Sequence, residues 1–405
     1  MDPLILGIAG AVYLGMLLGE IPGLALDRTG VALLGAIALV ATGRVAPAEA
    51  WDAVDVTTIA LLLGLMVVSA QFRLGGFYGA ATARLAAWNV GPATLLAALV
   101  ALAGVLSAVL ANDIVCLAMA PVLAAGCARR GLDPVPYLLG LAAGANVGSA
   151  ATLIGNPQNM LVGQALGLSF AGYLRAAVVP SALGLGAVWL VIALTYRARW
   201  RREVAVPEVA APRLARWQSA KGFGVLAALV VAFVASPWPR ETLALIAAGF
   251  LLLSRRMTSR DILAEVDWHL LVLFAGLFIV NHALLASGTM AAGLGALRAA
   301  GVDLAHPAWL YGVTAVLSNL VSNVPAVMLL LPAAHHPLGG PVLALASTLA
   351  GNLLLVGSIA NLIVADQAER LGVRIGWRTH ARVGVPVTLL TLAIAAAWLA
   401  LGAAR

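Results

Sequence analysis

The sequence predicts an all-α membrane protein made of two inverted repeats, with about ten transmembrane helices, two re-entrant hairpins and broken helices. Three observations predict it: the composition, the recurrence of long apolar runs, and an internal duplication whose loop charges are reversed. Of 405 residues, 62% are hydrophobic and only 10% are charged, and the mean hydropathy is +1.00. A water-soluble domain carries about a quarter charged residues. Runs of the roughly 17–25 apolar residues needed to cross a bilayer recur from end to end. They are too continuous for barrel strands, which alternate over about ten residues. Helices are then the default, because each backbone N–H and C=O must be satisfied without water. The 42 glycines and 19 prolines suit membrane helices that pack closely and break locally.

The elements follow in order. Pro3 to Gly19 lacks a basic n-region and a small-residue cleavage site, so it reads as a retained span and not as a signal peptide. Spans near 4–20, 31–43 and 53–70 precede a segment at about 92–125 with Asn112 and Asp113 at its centre. Arg73, Arg84, Arg129 and Arg130 flank that segment; with both flanks cytoplasmic, it enters and leaves on one side as a hairpin. A helix near 137–164, broken around Gly155–Pro157, crosses next, and another near 177–196 reaches a basic stretch. The repeats therefore occupy 1–196 and 222–405, joined by a cytoplasmic linker at 197–221 that holds Arg197, Arg199, Arg201, Arg202, Arg213, Arg216 and Lys221.

Three matches in the same order establish the duplication. "VDVTTIALLLGLMV" from Val54 resembles "VDWHLLVLFAGLFI" from Val266, "LSAVLANDIVCLAMAP" from Leu106 matches "LSNLVSNVPAVMLLLP" from Leu317, and "IGNPQNMLV" from Ile154 matches "VGSIANLIV" from Val356. Equivalent loops carry opposite charge bias. Arg44 alone faces Arg255, Arg256 and Arg260; Arg175 alone faces Arg370, Arg374, Arg378 and Arg382; Arg129 and Arg130 face a loop at 333–341 with no Arg or Lys. By the positive-inside rule, such loops lie on opposite sides. Tryptophans at run ends, among them Trp51, Trp88, Trp238 and Trp268, fit an interfacial belt.

The net charge of +7 is a matter of loop charges that set orientation, and it implies no nucleic-acid partner. Cys116 and Cys127 have no ligands at metal spacing and read as packing residues; no metal or other cofactor is expected. His335 and His336 fall in an outward loop, and Asp55 and Asp267 read as interfacial starts of equivalent spans. The role of Asp366 stays open. No G-x-x-x-x-G-K-[ST], H-E-x-x-H or G-x-S-x-G motif is present, which argues against an ATP-driven pump and against an enzyme.

Polar residues at membrane depth are costly and mark function. Asp113 is the only acid between Asp55 and Asp133, and a carboxylate there can hold Na⁺ or a proton. Its counterpart region offers Ser318, Asn319, Ser322 and Asn323, with no acid. In "GANVGSAATLIGNPQNMLVG", Gly155, Asn156 and Pro157 interrupt a helix, and the freed backbone groups require a protein-buried or wet cavity, with Asn146, Gln158 and Asn159 as further candidates to bind the solute. The partner segment supplies Asn352, Gly357, Ser358 and Asn361 but no proline, so how far it unwinds is open.

These motifs resemble the ion transporter superfamily, which includes arsenite permeases, sodium/proton antiporters and dicarboxylate symporters. The "NPQN" form is similar to the anion-permease branch that contains silicic acid effluxers. The resemblance covers nearly the whole chain and implies paired hairpins, a mobile transport domain and a homodimer. It also implies that Asn112, Asp113, Ser322 and Asn323 serve the coupling cation, H⁺ or Na⁺, with Asn156, Asn159, Ser358 and Asn361 beside the solute. The "AND" tip at Ala111–Asp113 departs from the Ser-Asn-Thr tips of dicarboxylate symporters and is shared with arsenite permeases.

The expected function is ion-coupled secondary transport in the plasma membrane of a bacterium. The expected cargo is a small neutral hydroxide, arsenite or silicic acid, moved outward in exchange for the cation. An oxyanion or dicarboxylate transporter and a sodium/proton antiporter are the alternatives. No arginine lies within the four motif segments to balance an anion.

Overall fold

The structure is a computed structural model and describes residues 2–19, 25–202, 204, 206, 207, 209 and 213–403. Residues 203, 205, 208 and 210–212 of the expected linker lie outside the described residues. The first half contains α1 (Pro3–Leu18), α2 (Arg28–Ala41), α3 (Pro47–Ala53), α4 (Val56–Leu74), α5 (Phe77–Ala86), α6 (Pro92–Val109), α7 (Asn112–Arg129), α8 (Pro134–Ser149), α9 (Pro157–Ala165) and α10 (Phe170–Tyr196). The second contains α11 (Arg216–Ala235), α12 (Arg240–Leu252), α13 (Ser259–Ala264), α14 (Trp268–Ala286), α15 (Thr289–Ala299), α16 (Pro307–Val321), α17 (Asn323–Leu330), α18 (Gly339–Ala350), α19 (Ile359–Arg370) and α20 (Trp377–Ala403). Because α11 opens at Arg216, residues 216–221 are helical, and Arg216 and Lys221 belong to a helix rather than to the linker.

Five aspartates begin helices. Asp2, Asp27, Asp55, Asp133 and Asp267 each cap one by accepting from a first-turn N–H, which satisfies donors that no intrahelical carbonyl reaches. Prolines open α1, α3, α6, α8, α9 and α16, where the missing N–H costs nothing.

Among the described residues, seven helices are long and apolar enough to cross a membrane: α4, α6, α7, α10, α11, α14 and α20; α1, α2, α16, α17 and α18 are shorter and apolar. Two of the seven, α6 and α7, form a hairpin. The guanidinium of Arg130, just past α7, donates to Trp88 O at 2.9 Å and to Val90 O at 2.8 Å, just before α6. The pair therefore ends beside where it began.

The two sets of ten helices share one order and exchange partners: α4 packs on α12, and α14 packs on α2. Both crossings are close because a glycine sits at each. A Cβ at Gly64 would lie 2.7 Å from the carbonyl carbon of Ala244, and one at Gly276 2.8 Å from that of Ala32. The helices α10 and α20 pack on each other, each with an internal proline, Pro180 and Pro386.

Candidate functional site

Four helix starts converge on one place: α7 at Asn112–Asp113, α9 at Pro157–Gln158, α17 at Asn323–Val324 and α19 at Ile359. With Asn146, Ser322, Ser358 and Leu270 they line a cavity of about 30 Å³. Each start is a break in an otherwise apolar run. Between α6 and α7, Leu110 is extended and Ala111 is non-helical (φ −58°, ψ 117°). Between α8 and α9, Asn156 is extended (φ −153°, ψ 161°), and between α18 and α19 its counterpart Ser358 is likewise (φ −142°, ψ 140°). The second copy therefore unwinds without a proline. Ser322, between α16 and α17, adopts φ 76° and ψ 160°, a region essentially reserved for glycine. Strain at that tip is held by the packing around it.

Amide hydrogen bonds fix the site and can be followed link by link. Asn361 Nδ2 donates to the carbonyls of Gly351 (2.9 Å) and Leu354 (3.2 Å), which makes its Oδ1 an acceptor. Asn146 Nδ2 donates to that oxygen at 3.2 Å and to Asn352 Oδ1 at 3.0 Å. Asn146 Oδ1 in turn accepts from Ser358 Oγ at 2.8 Å and from Asn112 Nδ2 at 3.4 Å. Asn112 Oδ1 is left buried with no partner among the described residues, and so is Asn323 Oδ1 at the other tip. Leaving such an atom unmade costs about 1–3 kcal/mol, so two at one cavity point to an absent donor or cation. Asp113, in the first turn of α7, has no hydrogen-bond or ion-pair partner among the described residues.

The remaining residues separate into lining and support. Asn156 caps α9 by accepting from Asn159 N at 2.9 Å, and its Nδ2 donates to Ser149 Oγ (2.9 Å) and Thr348 Oγ1 (3.2 Å). Gln158 Nε2 also reaches Thr348 Oγ1, at 3.1 Å. Asn159 turns away from the cavity: its Nδ2 donates to Ser149 O, Thr152 O and Tyr173 OH, which clamps the break. Asn319 does the same in the second copy through Ala315 O and Ala350 O. Ser318, Asn352 and Asn361 are buried behind the tips, outside the cavity lining. Gly155 and Gly357 let backbones meet; a Cβ at Gly155 would lie 2.7 Å from Ser107 O, and one at Gly357 3.0 Å from Asn319 Oδ1. Thr348, Ser149, Tyr173 and His380 join this network without having been singled out in the sequence. His380 Nε2 is 2.9 Å from Asn352 O. Lone hydroxyls and imidazoles in apolar helices give no motif to find them by.

On the other side of Asn112 and Asp113 a second cavity, of about 180 Å³, runs to a mouth lined by Arg73, Glu265 and Asp267. There Arg73 pairs with Glu265 at 2.5 Å. A larger open groove of about 780 Å³, between the starts of α2 and α14, contains none of the motif residues. Among the described residues no cluster of three or more His, Cys, Asp or Glu side chains could hold a metal ion.

Comparison with known proteins matches this architecture. Residues 13–350 match the citrate transporter family. An uncharacterised transporter of Mycobacterium tuberculosis is 30% identical over 400 residues, covering 92% of this chain and 93% of its own length. A silicon efflux transporter of Oryza sativa subsp. japonica is 27% identical, with 95% of each chain covered. Among solved structures, the Alcanivorax borkumensis YdaH transporter aligns with a TM-score of 0.57 over 99% of this chain and 98% of its own, at 16% identity, a likeness of fold alone. These matches agree with the resemblance carried by the tip and "NPQN" motifs. With the helical spans described above, they make the chain a multi-pass integral membrane transporter that belongs to the citrate transporter family.

Proposed function

We propose that this transporter moves a small neutral metalloid hydroxide, arsenite or silicic acid, outward in exchange for H⁺ or Na⁺. The observation that carries the reading is the pair of unpartnered amide oxygens, Asn112 Oδ1 and Asn323 Oδ1, on two residues that line a cavity with Asp113. All three groups accept hydrogen bonds. A polyhydroxide offers them O–H donors, and its own oxygens can take N–H groups from the surrounding helix starts. A cation can coordinate the same oxygens. One set of acceptors thus serves either occupant in turn, which is the requirement for exchange. No Arg or Lys lines the small cavity, and the rice relative is named a silicon efflux transporter.

One observation favours a second reading. Each helix start carries about half a positive charge, and four of them face the cavity. That field suits an oxyanion or dicarboxylate driven by Na⁺ or H⁺, in line with the family's description. The readings separate in a binding measurement on the purified full chain. Exchange predicts that arsenite or silicic acid binds, and that its apparent affinity falls as Na⁺ or H⁺ rises. Citrate or arsenate binding that strengthens with the cation would replace exchange with anion symport.

The architecture behind this reading is a pair of inverted repeats whose α6–α7 and α16–α17 hairpins are re-entrant. The exchanged packing of α2, α4, α12 and α14 supports a two-fold relation, and the loop charges support inversion. Single cysteines at Arg201, Arg374 and His335, probed with an impermeant thiol reagent, are expected to label from the cytoplasm for the first two and from outside for the third. Labelling of His335 and Arg374 positions from one side would contradict inversion.

A further inference from the structure

The two halves cap equivalent helices with aspartate, yet the two carboxylates are in different states. Asp55, at the start of α4, is saturated by its own helix. Its Oδ1 accepts from Thr57 N (3.0 Å), Thr57 Oγ1 (2.5 Å) and Thr58 N (3.1 Å), and its Oδ2 accepts from Thr58 Oγ1 (2.6 Å). Asp267, at the start of α14, meets His269 and Leu270 in place of those threonines. Its Oδ1 accepts from Leu270 N at 2.9 Å, and its Oδ2 has no hydrogen-bond or ion-pair partner among the described residues. Capping requires one oxygen, so the second is free for another purpose.

Its position supplies that purpose. Asp267 stands exposed at the mouth of the 180 Å³ cavity whose inner end is Asn112 and Asp113. The charged groups facing that space are Asp113 from α7, Arg73 from α4, Glu265 from the turn before α14, and Asp267 itself. Arg73 is engaged by Glu265 at 2.5 Å, so this pair closes one side of the mouth and leaves Asp267 uncompensated. His269 lines the separate groove beside Asp27. Inward from the mouth, Asn112, 6% exposed, holds a buried acceptor, Oδ1, with no donor among the described residues.

We propose that Asp267 is a second cation-binding carboxylate, which takes the coupling cation at the mouth and shares the cavity with the Asp113 site. The proposal rests on Asp113 being the coupling residue. Three carboxylates against one guanidinium give this space a negative field. A cation gains from that field along the whole path, while an anion entering by the same mouth is repelled. The asymmetry between the halves follows as well, since only the copy without those threonines has a carboxylate oxygen to spare.

The test is cation-triggered charge displacement in proteoliposomes that contain the full chain. Na⁺ is titrated at fixed pH, and pH jumps are applied without Na⁺. Asp267→Asn keeps the cap, because Asn caps as well as Asp; Asp55→Asn is the matched control. The expected result is a rise of about fivefold in the half-saturating concentration of the effective cation for Asp267→Asn, the size of one charge interaction at about 4 Å for a water-exposed group. Asp55→Asn should titrate as wild type, and Asp113→Asn should be silent. Wild-type titration by Asp267→Asn with Asp113→Asn silent would overturn this proposal and leave Asp113 as the coupling residue. An equal shift in Asp55→Asn would reduce the effect to helix capping and also overturn it. A wild-type signal from Asp113→Asn would remove the coupling reading and this proposal with it.

Discussion

Replacing Asp113 with asparagine should leave a folded protein that no longer transports against a gradient. The carboxylate is the one acid at either tip, it opens α7, and it has no partner among the described residues. An amide of the same shape keeps the cavity lining that Asp113 shares with Leu270 and Pro157 and loses the charge. A carrier whose states bind the cation equally cannot be driven by its gradient, so gradient-driven flux should fall roughly a hundredfold or more. Solute-for-solute exchange should persist, because Asn112, Asn323 and the helix starts remain. Stability should change little, since no hydrogen bond or ion pair of Asp113 is lost. Parallel measurement of gradient-driven uptake and of counterflow in proteoliposomes checks the split. Retained driven uptake would make Asp113 a structural residue.

Much of this architecture was legible in the sequence because breaks in apolar runs are conspicuous. "LSAVLAND" and "LSNLVSNV" located both tips, and "IGNPQN" located the unwound turn between α8 and α9. The helices α3, α5, α13 and α15 were not foreseen; they are short connectors outside the long apolar runs. Within the site, residue type could not show which amides line the cavity. Asn156 and Asn159 belong to one motif, but three residues on a helix separate a cap from a clamp on Tyr173. Asp55 and Asp267 looked alike as span entrances. Their difference lies in the threonines that follow one and not the other, and it acquires meaning only when α14 is placed beside α7. Arg73 and Glu265, nearly two hundred positions apart, give no local signal of pairing.

The second large effect concerns the cargo, and it follows from hydrogen-bond polarity. The unfilled groups at the tips, Asn112 Oδ1, Asn323 Oδ1 and the Asp113 carboxylate, are acceptors. A carboxylate or oxyanion placed among them supplies few donors and adds like charge beside Asp113, while an uncharged polyhydroxide supplies several donors. An anion brought to membrane depth also carries a desolvation cost, and the small cavity has no Arg or Lys, only the partial charges of the helix starts, to offset it. Inside-out membrane vesicles that contain the protein put this to the most direct test, with uptake followed under an imposed pH or Na⁺ gradient. The prediction is gradient-dependent accumulation of arsenite or silicic acid, abolished by Asp113→Asn. Accumulation of citrate, another dicarboxylate or an oxyanion under the same gradient, with none of arsenite or silicic acid, would contradict it.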